Sequence, residues 1–188
     1  MENRQLLLNC SLEAFALNGY EAAGVQDIAK AAGITKPTLY HYFGSKAGLL
    51  TTLFSEQLKP FLTTLETTAV YRKDIAGALQ EIVKAHFDFA TANPLLYRYF
   101  LSLMYAPAES DAFKISLTYR ERQQQLMETF FFEASKDHGN MKNRHRAYAS
   151  SFIGLVNTYV SLFLNQQTTI DDSTIRFVVH QFMHGIFS

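Results

Sequence analysis

The stretch VQDIAKAAGITKPTLYHYFGSK, Val25 to Lys46, constrains this chain more than any other part of it. Val25, Ile28, Ala29 and Ala32 recur at helical spacing and share one face. Gly33 ends that run, because glycine accepts the left-handed backbone with which helices commonly terminate. A second helix then has a clear start. Thr35 can cap it through its side-chain oxygen, and Pro37 sits in the first turn, where a missing N–H costs nothing. Ile34 and Leu39 flank the cap at the spacing of a hydrophobic staple. Two short helices around a glycine turn are the sequence form of a helix-turn-helix.

The second helix, Lys36 to Phe43, is about two turns long. Leu39 and Phe43, four apart, would pin it to the domain behind, leaving Lys36, Thr38, Tyr40 and His41 on or near the other side. Donors and flat rings on a short helix suit the major groove, where base edges are read. A helix–glycine–helix corner is also common in all-α proteins that never touch DNA. The whole string decides between the two. GYEAAGVQDIAKAAGITKPTLYHYFGSKAGLL resembles the DNA-binding domain of the tetracycline-repressor (TetR) family of bacterial transcription regulators, and the likeness runs from about Arg4 to Leu53. It is carried by Phe15 with Gly19-Tyr20, Asp27-Ile28-Ala29, Ala32-Gly33, Leu39 to Phe43, and Ser45-Lys46 before a leucine-rich helix.

The resemblance implies an all-α fold: a three-helix DNA-binding domain over residues 1–46, then a helical ligand-binding and dimerisation domain over 47–188. It implies that Lys36, Pro37, Thr38, Tyr40 and His41 face the bases while Tyr42 and Lys46 hold phosphates. It also exposes a departure. The family commonly has hydroxyl residues where this chain has Ala23 and Gly24, so a side-chain cap and one phosphate contact are missing there. Serine at position 24 should therefore be neutral or slightly stabilising.

Charge adds nothing to the nucleic-acid case. The formal net charge is zero, and the first fifty residues hold Arg4, Lys30, Lys36 and Lys46 against Glu2, Glu13, Glu21 and Asp27. The argument rests on placement, and so few cations predict a shallow salt dependence of binding. One cysteine, Cys10, excludes an internal disulfide framework and fits a reducing, cytoplasmic setting. No signal peptide is legible after Met1, and the greasiest stretch, Phe152 to Leu164, is short for a bilayer span.

Helical periodicity continues to the end of the chain. The first helix is expected over Glu2 to Asn18, and a fourth runs from Lys46, capped by Ser45, to about Val70 unless Pro60 bends it. Others follow from Asp74 to Asn93, from Pro94 to about Met104, from Ser110 or Asp111 to Lys136, from Lys142 to Asn165, and from Ser173 to Phe187. No linker is evident, so one continuous helical body is expected. The family likeness implies an inducer pocket for a small, partly hydrophobic compound. Phe61, His86, Phe89, Tyr97, Phe100, Met104 and Tyr119 are its candidate lining residues. The last two helices carry more apolar side chains than one buried face needs. Phe152, Leu155, Val156, Tyr159, Phe163, Val178 and Phe182 are the expected two-fold interface, with Ile186 alongside.

Enzyme chemistry finds little support. His180 and His184 stand four apart, but no HExxH glutamate or nearby cysteine accompanies them. No phosphate-binding glycine loop or nucleophile–base spacing is present. The expected protein is a DNA-binding regulator without catalytic residues, metal or cofactor. It is expected to be a homodimeric repressor on a palindromic operator, released by a small-molecule inducer, with no membrane partner. The rival reading is a small-molecule-binding protein on the same fold that does not read DNA.

Overall fold

A computed structural model describes residues 2–185, with side chains from residue 4 onward. The described residues form α-helices and two single 3-10 turns, with no strand. The helices are α1 (Glu2–Asn18), α2 (Val25–Ala31), α3 (Lys36–Phe43), α4 (Lys46–Gln57), α5 (Lys59–Thr68) and α6 (Ile75–Ala92). After them come α7 (Pro94–Ser102), α8 (Asp111–Ala134), α9 (His145–Leu164) and α10 (Asp172–His184). The expected end at Phe187 and the role given to Ile186 lie outside the described residues.

Most starts are set by the local chemistry the sequence displays. Thr35, Ser45, Asp74 and Asp171 each accept a backbone N–H from three residues on, and Ser110 does the same for Phe113. Three expectations change. The long fourth helix is two helices, broken at Leu58 ahead of Pro60, whose ring removes a donor and crowds the preceding turn. The penultimate helix starts at His145 rather than Lys142, because residues 139–141 form a 3-10 turn and Asn143 takes a positive φ. The last helix starts at Asp172, since Asp171 is the cap.

The chain divides into two compact units instead of one continuous body: residues 1–60 with 95–119, and 61–94 with 120–188. The expected domain 1–46 lies inside the first unit, and the expected 47–188 is divided between the two. In the first unit, Leu7, Leu8, Phe15, Ile28, Leu39, Leu49, Leu50, Leu53 and Phe54 are fully buried. Phe54 is its aromatic hub, with Tyr99, Phe100 and Tyr119 edge-on at ring-centroid distances of 6.2, 6.0 and 5.4 Å. A buried phenylalanine of this kind contributes roughly 1.5–3 kcal/mol.

In the second unit α6 packs against α9 and α10. Leu79, Ile82, Val83 and Phe87 meet a stripe of Ala149, Phe152, Val156 and Val160 on α9, and Ile175, Val178 and Val179 on α10. Phe131, Phe152 and Phe182 form a ring cluster with centroids 4.9 to 6.0 Å apart. One polar pair lies in this unit's interior. His86 Nδ1–H donates to the Ile82 carbonyl at 2.8 Å, so its Nε2 accepts from the Gln123 amide at 2.7 Å.

The greasy stretch is the C-terminal part of α9. His145–Leu164 has 20 residues at mean hydropathy 1.3, enough in length and composition to cross a membrane, and 22% of its most apolar window is buried. Its outer positions include Ser150, Ser151, Gly154 and Thr158, small and polar groups that do not suit hydrocarbon.

Candidate nucleic-acid interface

The helix-turn-helix is built by backbone hydrogen bonds that the sequence makes available. At the end of α2, Gly33 N–H donates to the Lys30 carbonyl and Ile34 N–H to the Ala29 carbonyl, with Gly33 at φ +68°. This is the double-bonded glycine stop called the Schellman motif. Ile34 and Thr35 then lead directly into α3, where Thr38 N–H donates to Thr35 Oγ1 at 3.4 Å. The two threonine hydroxyls also pair at 2.9 Å.

The far end of α3 is held more tightly. Ser45 N–H donates to the Phe43 carbonyl at 2.8 Å across Gly44, whose φ of 72° and ψ of −45° make a three-residue γ-turn. Gly48, on the first turn of α4, brings its Cα so close that a Cβ there would lie 2.0 Å from the Phe43 carbonyl oxygen. No side chain fits. The angle between α3 and α4 is therefore fixed by backbone alone.

On α3, only Leu39 and Phe43 are buried. Lys36, Pro37, Tyr40, His41 and Tyr42 are exposed, and Thr38 is half-buried by its bond to Thr35. The Lys36 ammonium sits 5.7 Å above the Tyr40 ring, and the His41 and Tyr42 rings are 5.9 Å apart. Six of the seven expected DNA-facing residues thus share one short helix. Arg4 also reaches this helix, a position sequence reasoning passed over. Its guanidinium lies 5.6 Å from the Phe43 ring and is ion-paired with Glu56.

Lys46, the seventh, is placed differently. Its ammonium donates to the Glu21 carbonyl at 3.1 Å and lies 4.5 Å above the Tyr20 ring. Partial burial lowers its pKa, with Glu21 opposing. At the Gly24 departure, Gly24 caps α2 in extended geometry with no side-chain bond. A Cβ there would lie 2.6 Å from Asp27 Oδ2, so a serine must first displace that carboxylate.

The helix shows donors and rings outward and is bounded at both ends by glycine geometry, a shape that suits the major groove. Residues 7–53 match the family model described as bacterial regulatory proteins, tetR family. Over those residues the chain is similar to the tetR family. The chain is 28% identical over 185 residues to the HTH-type transcriptional activator FasR of Mycolicibacterium smegmatis, covering 98% of this chain and 82% of that one. It is 31% identical over 87 residues to the fatty acid metabolism regulator protein of Bacillus subtilis, a match spanning 46% of this chain and 45% of the other. In fold it is similar to the transcriptional regulator FadR from Bacillus subtilis, a structure determined in complex with stearoyl-CoA. That likeness has a TM-score of 0.78 at 21% identity, over 97% of this chain and 98% of that one.

The residues expected around a ligand fall into two groups. Phe61, His86 and Phe89 come together in the second unit, Phe61 stacked on Phe89 at 4.5 Å and edge-on to His86 at 5.0 Å. Tyr97, Phe100, Met104 and Tyr119 belong to the first unit, where Phe100 and Tyr119 meet on Phe54, Tyr97 is buried and Met104 is 41% exposed. A separate open groove of about 610 Å³ runs between α6 and α10, lined by Ala76, Gln80, Arg176, Phe177, Val179, His180, Met183 and His184. The rings of His180 and His184 are 4.6 Å apart. Among the described residues no three His, Cys, Asp or Glu side chains gather as a metal site would need. Of the seven residues expected at a two-fold interface, Phe152, Val156 and Val178 are closed inside the protomer. Leu155, Tyr159, Phe163 and Phe182 remain part-exposed. Phe177, 59% exposed, is a large outward ring that the sequence reading left out.

Proposed function

We propose that this chain is a homodimeric transcription regulator that reads a palindromic operator through α3 and is released from it by a ligand carrying a long acyl chain. The observation that carries the reading is α3 itself: eight residues, two of them turned inward, with Lys36, Tyr40, His41 and Tyr42 exposed on its surface. Thr38 and Tyr40 contact base edges or thymine methyls, with Lys36 and His41 beside them. Tyr42 binds phosphate, and Lys46 has two ammonium donors left for the same task.

The dimer brings two copies of α3 to half-sites about 34 Å apart. The part-exposed apolar side chains of α9 and α10 support it, Phe177 and Met183 foremost, since a surface of that kind is costly to leave in water. The acyl ligand is supported by the aromatic interiors and by two similar proteins, a fatty acid metabolism regulator and a regulator whose structure holds stearoyl-CoA. The ligand favours the state with the wrong spacing between recognition helices, and by linkage DNA weakens ligand binding by the same factor.

Selection from a random double-stranded DNA pool tests this, with and without stearoyl-CoA. The expected result is a palindrome whose half-sites lie about one helical turn apart, lost when the thioester is added. Binding of stearoyl-CoA with no enrichment of any DNA would instead favour the ligand-binding protein that does not read DNA.

A further inference from the structure

Phe43, the last residue of α3, sits at the centre of the corner behind that helix. Its carbonyl accepts from Ser45 N–H and lies where a Cβ on Gly48 would clash, and its ring is 7% exposed. That ring is 6.1 Å from the ring of Tyr42, which is 5.9 Å from the ring of His41. A shift of Phe43 is therefore passed directly to two of the side chains that α3 shows outward. Arg4 holds the Phe43 ring in its turn. Its guanidinium lies 5.6 Å from the ring centroid, within the range of a cation–π contact. The same guanidinium is ion-paired, through Nη2, with Oε1 of Glu56. Arg4 is on the first turn of α1 and Glu56 on the last turn of α4, so three helices of the first unit meet in one cation.

The two charged side chains are 40% and 35% exposed, and a pair in that setting adds little to global stability. What it does is hold a long side chain with many rotamers in one place, over the ring. Among the described residues, Arg4 alone of the four side-chain cations in the first fifty residues has its charge paired with a carboxylate. We propose that Arg4 and Glu56 are positioning residues for DNA reading: Glu56 fixes the guanidinium over Phe43, and the guanidinium fixes the end of α3 from which Tyr42 and His41 project. The inference rests on the reading of α3 as the DNA-binding helix. A direct phosphate contact by Arg4 makes the opposite demand on Glu56. A phosphate-binding arginine is masked by its carboxylate, and removing Glu56 frees it and takes a negative charge away from the DNA. A positioning arginine needs its partner.

The test uses the full chain and the variants Arg4→Gln, Arg4→Lys, Glu56→Gln and the double variant Arg4→Gln with Glu56→Gln. All four should unfold close to the wild-type thermal midpoint, since an exposed pair is what is lost. Amide hydrogen exchange, which needs no DNA, should run about tenfold faster at Gly44 and Ser45 in Arg4→Gln and in Glu56→Gln, with α9 and α10 unchanged. On selected DNA both single variants should bind about tenfold more weakly, a misplaced helix losing base contacts. The double variant should bind no more weakly than Arg4→Gln alone, because the two side chains act as one unit. Arg4→Lys keeps a cation for both the carboxylate and the ring and should stay within about twofold of wild type. Tighter binding by Glu56→Gln would overturn the proposal in favour of a phosphate contact. Additive losses in the double variant would overturn it as well, as would wild-type exchange at Gly44 and Ser45 in both single variants. If wild type selects no DNA, the functional reading fails, and the exchange result still decides whether the clamp exists.

Discussion

At the scale of single residues, the side chains that make the site are the ones the fold does not need. Tyr40 is 38% exposed, and its neighbours Leu39 and Phe43 secure the helix. Tyr40→Ala should cost about 1–3 kcal/mol of operator binding and leave the thermal midpoint within a degree or two, as read by gel shift and calorimetry. His86 behaves oppositely, as an interior residue that titrates. Burial lowers its pKa from 6.5 to about 4, only partly offset by the bond to Ile82. The unfolded chain takes up a proton near pH 6.5 while the folded chain resists until about 4. Its contribution is thus complete above about pH 6.5 and lost as pH falls toward 4, on the order of 3 kcal/mol in total. Denaturant unfolding at stepped pH should show this fall, and His86→Gln should flatten it.

At the scale of helices, much was legible beforehand because it is local. Thr35, Ser45 and Asp74 announce starts that the structure keeps, and α3 has the predicted bounds, since caps and glycine stops act within one turn. The inward turn of Lys46 was not legible, because it depends on the Tyr20 ring and the Glu21 carbonyl, which only the folded chain brings to it. The break at Leu58 was half-legible from Pro60. Two predictions belong here. Gly48→Ala places a Cβ 2.0 Å from a carbonyl oxygen and should destabilise the first unit by several kcal/mol, or tilt α3 and abolish DNA binding. Gln166 ends α9 at φ 59°, with Gln167 N–H bonded to the Leu162 carbonyl and Gln166 N–H to that of Phe163, a glycine position filled by glutamine. Gln166→Gly should raise stability by about 0.5–1 kcal/mol in denaturant unfolding.

At the scale of the whole molecule, a zero net charge means that affinity for DNA must come from shape and placement rather than attraction at a distance. The proposed dimer should be built on α9 and α10, and Phe177→Asp should shift it towards monomer in sedimentation while the protomer stays folded. Loss of the second α3 should then weaken operator binding far more than any single base contact does. Phe152 or Val156 would be poor choices for the same test, because each is sealed within its own protomer and its loss would damage the core. The α3–α4 corner carries a different kind of consequence. With its angle set by Gly44 and Gly48 and its anchorage by Leu39 and Phe43, the other six positions of α3 are nearly silent in folding. On the proposed reading, mutation can rewrite the address such a helix recognises without first endangering the survival of the folded chain, so new targets are accessible in single steps.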